Sequence, residues 1–416
     1  MDVEELAKWK ESFEEFHKRF RGIFCRSEAR EQCGKYLQGL VSGAERKNGW
    51  QMAEEVGDTA PDKTQRLLYE AKWEADEARD ELQAYVIEEL GEAAGIGIVD
   101  ETGFIKKGEK SAGVARQYTG TAGKIENSQV GTFLAYVSRR GHTLIDRRLF
   151  VPEKWIRDEK RREEAKIPGE VKQQTKPEQA LEMLEQAWVR GVPMEWVTGD
   201  EIYGNAPKLR NAVANSGRKY VFAIASNAPM WKKRPRTHTP KAQTGGRPQK
   251  HTQVVEGQAK NCTVAEEMVT WPDTQWKRLT SCQGEKGSIQ YDWAASRIVE
   301  RVDRLPGRDG WLLVRRSIND PKEFAFYFSN ASANTSIKTL AHIACQRYKV
   351  EQCFEEAKGE TGLDHYEVRY FHSWYRHITL SMMAHAWLTI TRAQAHEREQ
   401  TRADKPKKTT PMRLRH

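Results

Sequence analysis

Three acidic residues in this sequence have the side chains and local surroundings that a metal site needs. Asp100 and Asp200 close short apolar runs that predict buried strands, and Glu351 lies within a predicted helix. Mg²⁺ prefers hard oxygen ligands and takes few of them from protein. Two such ions about 3.5–4 Å apart stabilise the attacking and leaving oxygens of a phosphoryl transfer. We therefore expect metal-dependent chemistry on a phosphodiester.

Neighbouring acids compete for these roles. Asp100 by itself could simply cap a turn, but Asp200 repeats the pattern in a turn flanked by glycines. Glu101 and Glu201 follow directly, and adjacent residues of an extended chain point to opposite faces, which makes them less suitable ligands.

The acidic helix offers several glutamates. Arg347, Glu351 and Lys358 are spaced by four and seven residues, so they share one stripe of the helix. Glu355, one turn on, is the alternative to Glu351. By spacing alone, Arg347 and Lys358 could instead form ion pairs on an exposed helix.

Composition indicates a globular protein of two to three domains that spans no membrane. The chain has 416 residues, of which 38% are hydrophobic and 31% charged, and it includes 13 Trp. It has no run of about eighteen apolar residues. The acidic amphipathic N-terminus is no signal peptide. The 6 Cys lack metal-binding spacing, which predicts free thiols in a reducing cytoplasm.

The net charge of +9 is unevenly distributed. No acidic residue occurs between Glu201 and Glu256, which predicts a polyanionic partner. The basic residues of this stretch that we expect to contact DNA are Lys232, Lys233, Arg234, Arg236, Lys241, Arg247 and Lys250. The C-terminal tail is also basic and predicts a flexible arm.

The order of predicted elements indicates a mixed sheet with helices packed on it. The predicted strands are 96–100, 131–140, 142–150, 194–200 and 219–225, and the predicted helices are 64–91, 177–191, 208–217, 336–360 and 372–397. The Gly-rich basic segment 108–124 lacks a phosphate-loop pattern, so we interpret it as a loop near DNA and predict no nucleotide cofactor. The expected domains are a helical DNA-binding domain (1–92), a core in two parts (93–225 and 334–397), a basic β-rich insertion (226–333) and a basic tail (398–416).

Four sequence blocks, at 99–108, 113–138, 197–204 and 347–358, resemble the DDE transposases of bacterial insertion sequences, most closely the IS701 group of the IS4-like set. The resemblance runs from about residue 20 to 395. It implies an α/β ribonuclease-H-like fold, a mixed sheet interrupted by the β-rich insertion, with a helical N-terminal domain.

The IS4-like signature of Tyr, Arg, Glu and Lys selects among the glutamates. Arg347, Glu351 and Lys358 match its spacing, whereas Ala344 stands where the Tyr is expected and Tyr348 is the nearby aromatic. The resemblance implies that Asp100, Asp200 and Glu351 are the catalytic metal ligands. It also implies that Arg347 and Lys358 contact DNA phosphates.

The implied reaction uses two Mg²⁺ ions, for which Mn²⁺ can substitute, and no protein nucleophile. Water cuts one strand at the element's end, and the freed 3′-hydroxyl then attacks further strands, commonly through a DNA hairpin. A tryptophan of the insertion would stack on a flipped base, a contact worth about 1–3 kcal/mol. Trp311, Trp293 and Trp276 are the candidates, although each could be a core residue.

The leading hypothesis is a cut-and-paste transposase in the bacterial cytoplasm, associated with the nucleoid. It would act as a homodimer on double-stranded DNA, binding terminal inverted repeats and target. The alternatives are a catalytically silent DNA-binding regulator or targeting factor with the same fold, and a nuclease for branched or hybrid nucleic acid.

Overall fold

The computed structural model describes residues 3–239, 251–257, 261–284 and 287–403. Lys241, Arg247, Lys250 and the tail from residue 404 lie outside these ranges. Within them, no helix combines the length and apolar character needed to cross a membrane. Cys25, Cys33 and Cys353 are free thiols.

The N-terminal part is helical, and its apolar residues join one core with the rest of the chain. Its helices are α1 (Val3–Arg19), α2 (Ser27–Val41), α3 (Gly49–Glu55), α4 (Asp62–Tyr69) and α5 (Ala75–Leu90), with a 3-10 turn at Phe20–Ile23. The helix predicted over 64–91 is two helices, because the chain bends between Tyr69 and Ala75 and buries Trp73. Its predicted end at Gly91 is correct, since α5 stops at Leu90.

A mixed sheet follows, as the sequence predicts. Its strands here are β1 (Ile96–Ile105), β2 (Ala115–Thr119), β3 (Lys124–Val137), β4 (His142–Leu149), β5 (Trp196–Gly199) and β6 (Lys219–Ile224). The helices between them are α6 (Glu153–Ile156), α7 (Glu159–Glu164), α8 (Lys176–Val189), α9 (Glu201–Gly204) and α10 (Pro207–Asn215). Strand β5 lies parallel to both β1 and β6, whereas β1 pairs antiparallel with β3. All four residues of β5 are buried, which is typical of a central parallel strand.

Strand β2 corrects the interpretation of 108–124 as a loop. Ala115–Thr119 pairs antiparallel with the first part of β3, from Thr119↔Lys124 to Ala115↔Ser128. The later part of β3 pairs with β4 around Gly141, as predicted. Polar residues dominate β2, so pairing with β3 rather than apolar alternation makes it a strand.

The β-rich segment after β6 extends the same sheet. Its elements are β7 (Pro229–Trp231), β8 (Thr237–His238), β9 (Gln253–Val254), β10 (Cys262–Thr263), α11 (Val264–Val269), β11 (Lys277–Gly284), β12 (Gly287–Val302), β13 (Leu305–Arg316) and β14 (Phe324–Ser329). Strand β14 pairs with β6, and β13 and β12 follow outward. Among the described residues the sheet therefore has 12 strands, while β8 and β9 form a separate pair.

Three helices complete the chain: α12 (Ile337–Gln346), α13 (Tyr348–Thr361) and α14 (Phe371–Ala403). The single helix predicted over 336–360 is thus wrong, because the helix is interrupted at Arg347. The backbone N–H of Arg347 donates to Cys345 rather than one turn back, which marks the interruption. Helix α14 packs its buried residues against β4, α5 and α2.

A buried ion network joins the N-terminal helices to the sheet. Asp146 on β4 is fully buried, and its Oδ1 accepts from Arg79 Nη1 of α5 at 2.6 Å and from Arg148 Nη1 at 3.1 Å. Arg147 Nη1 lies 3.4 Å from the same oxygen and 2.7 Å from Asp76 Oδ1. Burial alone would raise the pKa of Asp146, but the three guanidinium groups outweigh it and lower that pKa.

Candidate active site

Asp100 and Asp200 lie next to each other where the parallel pairing of β1 and β5 ends. The last residue pair is Val99↔Gly199, and each aspartate is the residue that follows. Strands that run parallel bring corresponding residues to the same edge of the sheet. The prediction that Asp100 ends its strand is wrong, because β3 continues to pair with β1 as far as Ile105.

The side chain of Asp200 is held in position by a backbone N–H of the turn that follows β5. Asp200 caps the N-terminus of α9, and its Oδ1 accepts from the N–H of Ile202 at 2.9 Å. Gly204 ends that helix against β6. A Cβ there would lie 1.7 Å from the carbonyl oxygen of Ala223, so only glycine allows this approach.

Arg347 connects Asp100 to Glu351. Its Nη1 lies 3.3 Å from Asp100 Oδ2, and its Nη2 lies 2.7 Å from Glu351 Oε1. Helices α12 and α13 meet at Arg347, so the interruption of the helix places this guanidinium over β1. The structure therefore brings Asp100 and Asp200 together by strand register and connects Glu351 to Asp100 only through Arg347.

The two aspartates are held in surroundings that disfavour their charge. Asp100 is 8% exposed. Burial raises its pKa to about 7; Arg347 opposes the shift, and the nearby charges of Asp200 and Glu101 add to it. Burial also raises the pKa of Asp200, with the charge of Glu101 as the next cause. The site therefore contains more negative than positive charge.

Glu101 is engaged on the opposite side of β1. Its Oε1 accepts from Lys176 Nζ of α8 at 2.7 Å, and its Oε2 accepts from the Tyr203 hydroxyl at 2.7 Å. Tyr203 is fully buried, and burial together with these acids raises its pKa well above the usual value. Lys176 and Tyr203 were not predicted; the only signal was that adjacent residues of a strand face opposite ways.

Lys358 ties α13 to β1 and to the β2–β3 turn. Its Nζ donates to Thr102 Oγ1 at 2.9 Å and to Thr121 Oγ1 at 3.2 Å. Burial lowers the pKa of Lys358. From the sequence, Lys358 could have formed an ion pair along the helix. In the structure its ammonium group instead donates to the hydroxyl groups of Thr102 and Thr121.

The donor set has the chemistry of a hard-cation site, although it is not preassembled. In the ranges that the structure describes, no group of three or more His, Cys, Asp or Glu side chains is gathered closely enough to hold a metal ion. Asp100 and Asp200 are adjacent carboxylates whose raised pKa values a bound cation would lower. Glu351 is turned to Arg347. These residues fit a divalent cation if Glu351 exchanges the guanidinium for the ion.

The basic residues of the insertion are partly engaged within the protein. Lys232 Nζ lies 2.6 Å from Glu267 Oε2, and Arg234 Nη2 lies 3.1 Å from Asp309 Oδ2. Lys233 and Arg236 are exposed. DNA contact by this group stays a prediction.

The three tryptophan candidates occupy different environments. Trp293 is fully buried, with its ring 6.0 Å from that of Tyr327. It offers no exposed face to a base, so the prediction that Trp293 stacks on a flipped base is wrong. Trp311 and Trp276 are half-buried. The guanidinium of Arg297 lies 5.0 Å from the Trp311 ring, and that of Arg316 lies 4.3 Å from the Trp276 ring. Base stacking by these two stays a prediction.

Ala344 stands at a buried position where the signature has a tyrosine. It lies on α12 and is 4% exposed. Tyr348 lies beyond the interruption at Arg347 and is exposed. It therefore does not take the buried position of Ala344.

Comparison with known proteins gives a consistent set of matches. The family model described as "DDE superfamily endonuclease" matches residues 15–288, a range that contains Asp100 and Asp200 and ends before Glu351. The "Probable transposase for insertion sequence element IS701" of Microchaete diplosiphon is 29% identical over 195 residues, which is 46% of this chain. That match spans 48% of the relative's own length.

One solved structure is also matched. It is described as the "Cryo-EM structure of piggyBac transposase synaptic complex with hairpin DNA (SNHP)". The TM-score is 0.37 at 10% sequence identity, over 91% of this chain and 68% of that one.

Proposed function

Because the chain belongs to the DDE superfamily endonuclease family, we propose that it is a cut-and-paste DNA transposase of the IS701 type. It would bind terminal inverted repeats, cut the element's ends and join the 3′-hydroxyls to target DNA. Cutting through DNA hairpins is part of this proposal. Asp100, Asp200 and Glu351 are the proposed catalytic residues.

The observation that carries the proposal is the register of β1 and β5. It sets Asp100 and Asp200 side by side after Val99↔Gly199, and Arg347 links Asp100 to Glu351. An acid-rich cluster beside an arginine is poorly explained by stability, because burial of like charges costs free energy. It is well explained as a site that takes up cations.

Two Mg²⁺ ions, with Mn²⁺ as a substitute, would supply an activated water and stabilise the leaving oxygen when bound. Asp100, Asp200 and Glu351 are the residues that would hold them. Arg347 forms ion pairs with Asp100 and Glu351, and its guanidinium is the group proposed to contact a phosphate beside the cut. Lys358, fixed by Thr102 and Thr121, presents a second cation on the same side.

The remaining parts of the chain receive roles that are consistent with this reaction. We assign DNA binding to the helical region up to residue 92, a ribonuclease-H-like core to 93–225 and 334–397, and hairpin support to 226–333. We propose that two copies act together on paired ends, since both ends of an element must be processed. The protein would need no nucleotide cofactor and would work at the nucleoid.

The test is cleavage of DNA that carries the inverted repeats flanking the reading frame, in Mg²⁺. We expect nicked, flush-excised or hairpin ends from the native chain, and their loss from Asp100→Asn by at least about a thousandfold. Glu201→Gln, which changes the acid next to Asp200, is the matched control and should retain cleavage. Specific binding without cleavage in either Mg²⁺ or Mn²⁺ would contradict the proposal.

One observation favours the silent DNA-binding alternative. The described part of the chain holds no assembled group of three metal ligands, and Arg347 already forms ion pairs with two of the acids. A regulator would keep this arrangement permanently. Calorimetric titration with Mn²⁺ separates the two functions, because the enzyme binds the ion through Asp100 whereas the regulator does not.

A further inference from the structure

Glu101 contacts both halves of the candidate site through different atoms. Its backbone N–H donates to Asp100 Oδ1 at 2.8 Å. Its side chain turns to the opposite face of β1, where Oε2 accepts from the hydroxyl of Tyr203 at 2.7 Å. Tyr203 lies on α9, the single helical turn that Asp200 caps. One residue of β1 therefore links the two aspartates, although they belong to different segments of the chain.

Helix α9 has too few residues to hold its own shape. It spans Glu201–Gly204, and a single turn is not stable without tertiary contacts. Asp200 Oδ1 accepts from the N–H of Ile202 inside this turn, so the direction of the carboxylate depends on where the turn is held. Tyr203 is fully buried and joins the turn to β1. The position of Asp200 relative to Asp100 therefore depends on strand register and on this contact of Tyr203.

Lys176 fixes the direction of the Glu101 carboxylate. Its Nζ lies 2.7 Å from Glu101 Oε1, so both oxygens of the carboxylate are engaged. Lys176 opens α8, whose N-terminus is set by the capping box of Thr175 and Glu178. The side chains of Lys176 and Glu101 are only 20% and 16% exposed, which limits their freedom to rotate. Three elements, β1, α8 and α9, meet at this one carboxylate.

Directional bonds distinguish this contact from ordinary packing. A phenylalanine would fill the place of the Tyr203 ring, but it would not define a distance to Glu101. Stability alone gives little reason for a charged partner here, because buried ion pairs can often be replaced by apolar side chains without loss. A metal site, in contrast, needs its ligands in place before the ion arrives, and the residues behind the ligands provide this.

We propose that Glu101 is a positioning residue: together with Tyr203 and Lys176, it holds Asp100 and Asp200 at the separation at which both contact a divalent cation. This role rests on the proposed function, since it assumes that the two aspartates take up a cation. Glu101 itself stays bonded to Tyr203 and Lys176 and does not touch the ion.

The experiment titrates Mn²⁺ into the full chain without DNA and measures the free ion by electron paramagnetic resonance. Binding that Asp100→Asn abolishes defines the site. Tyr203→Phe removes one hydroxyl and no charge, so we expect about tenfold weaker binding of Mn²⁺ at this site. Lys176→Met is the second variant, at a partly exposed position. Loss of a positive charge would by itself strengthen cation binding, so the weaker binding that we expect from this variant reports lost position.

The matched control is Tyr220→Phe. Tyr220 is also fully buried, and its hydroxyl also donates to a buried carboxylate, but that carboxylate belongs to Glu300 on β12 rather than to a residue of β1. The urea concentration at the unfolding midpoint should fall to a similar extent in both Tyr→Phe variants, because each loses one buried hydrogen bond. Only Tyr203→Phe should lose Mn²⁺ affinity, which a structural role alone would leave unchanged.

The outcomes separate the positioning role from the proposed function. If the native chain binds Mn²⁺ through Asp100 and Tyr203→Phe binds it equally well, Glu101 is not a positioning residue and the transposase function stands. Tighter binding by Lys176→Met would also overturn the role, since the lysine would then act only through its charge. If the native chain shows no Mn²⁺ binding that depends on Asp100, the proposed function fails together with this role.

Discussion

Asp146 and Asp100 are both buried aspartates in the same sheet, yet the charges around them differ in number and sign. Asp146 lies among Arg79, Arg147 and Arg148, and its pKa is lowered in spite of full burial. Asp100 has Arg347 on one side and two further acids close by, and its pKa rises to about 7. The arginines around Asp146 offset the cost of burying its charge, whereas the neighbours of Asp100 do not.

This difference distinguishes a structural ion network from the proposed catalytic site. Buried charges that serve only the fold are compensated inside it, because removing an ion from water costs several kcal/mol. The acid-rich cluster is only partly compensated by Arg347, which is consistent with a site that takes up cations. The comparison can be tested by changing one member of each cluster and measuring the free energy of unfolding.

The largest effect is expected from Asp146→Asn. Loss of the carboxylate leaves three guanidinium groups around a neutral side chain, which should lower the free energy of unfolding by about 3–5 kcal/mol. Urea denaturation followed by circular dichroism measures this. Glu153→Gln, which removes an exposed ion pair with Arg157, is the control and should cost less than about 1 kcal/mol. An equally small effect at Asp146 would mean that the network is not structural.

Asp100→Asn should act in the opposite direction in metal-free protein. Because the folded pKa of Asp100 is about 7 and lies above the unfolded value of 3.8, its contribution to stability is lost as pH rises through this range. Removal of the charge should therefore raise the free energy of unfolding by about 1–3 kcal/mol at pH 8. At pH 4 the difference should be small.

The measurement is urea denaturation in EDTA at both pH values, with Asp309→Asn as an exposed control. A variant that is less stable than the native chain at pH 8 would show that Asp100 is a structural charge like Asp146. The carboxylates of Asp100 and Asp146 would then both stabilise the fold, and the contrast between the two clusters would be wrong.

Arg347→Gln should change the free energy of unfolding least of the three variants. It tests whether Arg347 partly compensates the charge of Asp100. Arg347 holds the pKa of Asp100 down, so its removal should raise that pKa further and lower stability by about 1 kcal/mol at pH 8. In the Asp100→Asn background the same change should cost less, because one of its two carboxylate partners is gone. A double-mutant cycle at pH 8 measures this coupling, and equal costs in both backgrounds would contradict it. Lys349→Gln, on the same helix but paired with Gln352, is the control.

Much of this fold could be predicted from local sequence pattern. The strand predicted over 142–150 and the helix predicted over 177–191 appear close to their expected bounds, because apolar alternation and a capping box at Thr175 specify them locally. The strand predicted over 131–140 is present but begins at Lys124 and ends at Val137. The adjacency of Asp100 and Asp200 was likewise anticipated from two apolar runs that end in an acid. These features depend on short stretches of chain.

The features that the sequence did not predict depend on distant partners. Strand β2 has little apolar alternation and exists through its pairing with β3. The buried Asp146 needs Arg79, which lies 67 residues earlier. The helix is interrupted at Arg347 although the sequence pattern is continuous there. The guanidinium of Arg347 contacts Asp100 on β1, which is distant in sequence, as well as Glu351.

The pairing of Ile96 with Trp196 also sets an order of events during synthesis. A chain emerging from the ribosome can pair β1 with β3 early, because the two strands are close in sequence. The other edge of β1 stays open until β5, about a hundred residues later, has been translated, and such distant contacts form slowly. Glu351 follows later still. A polypeptide released before β5 would therefore carry an exposed strand edge prone to aggregation and would lack two of the three proposed catalytic acids.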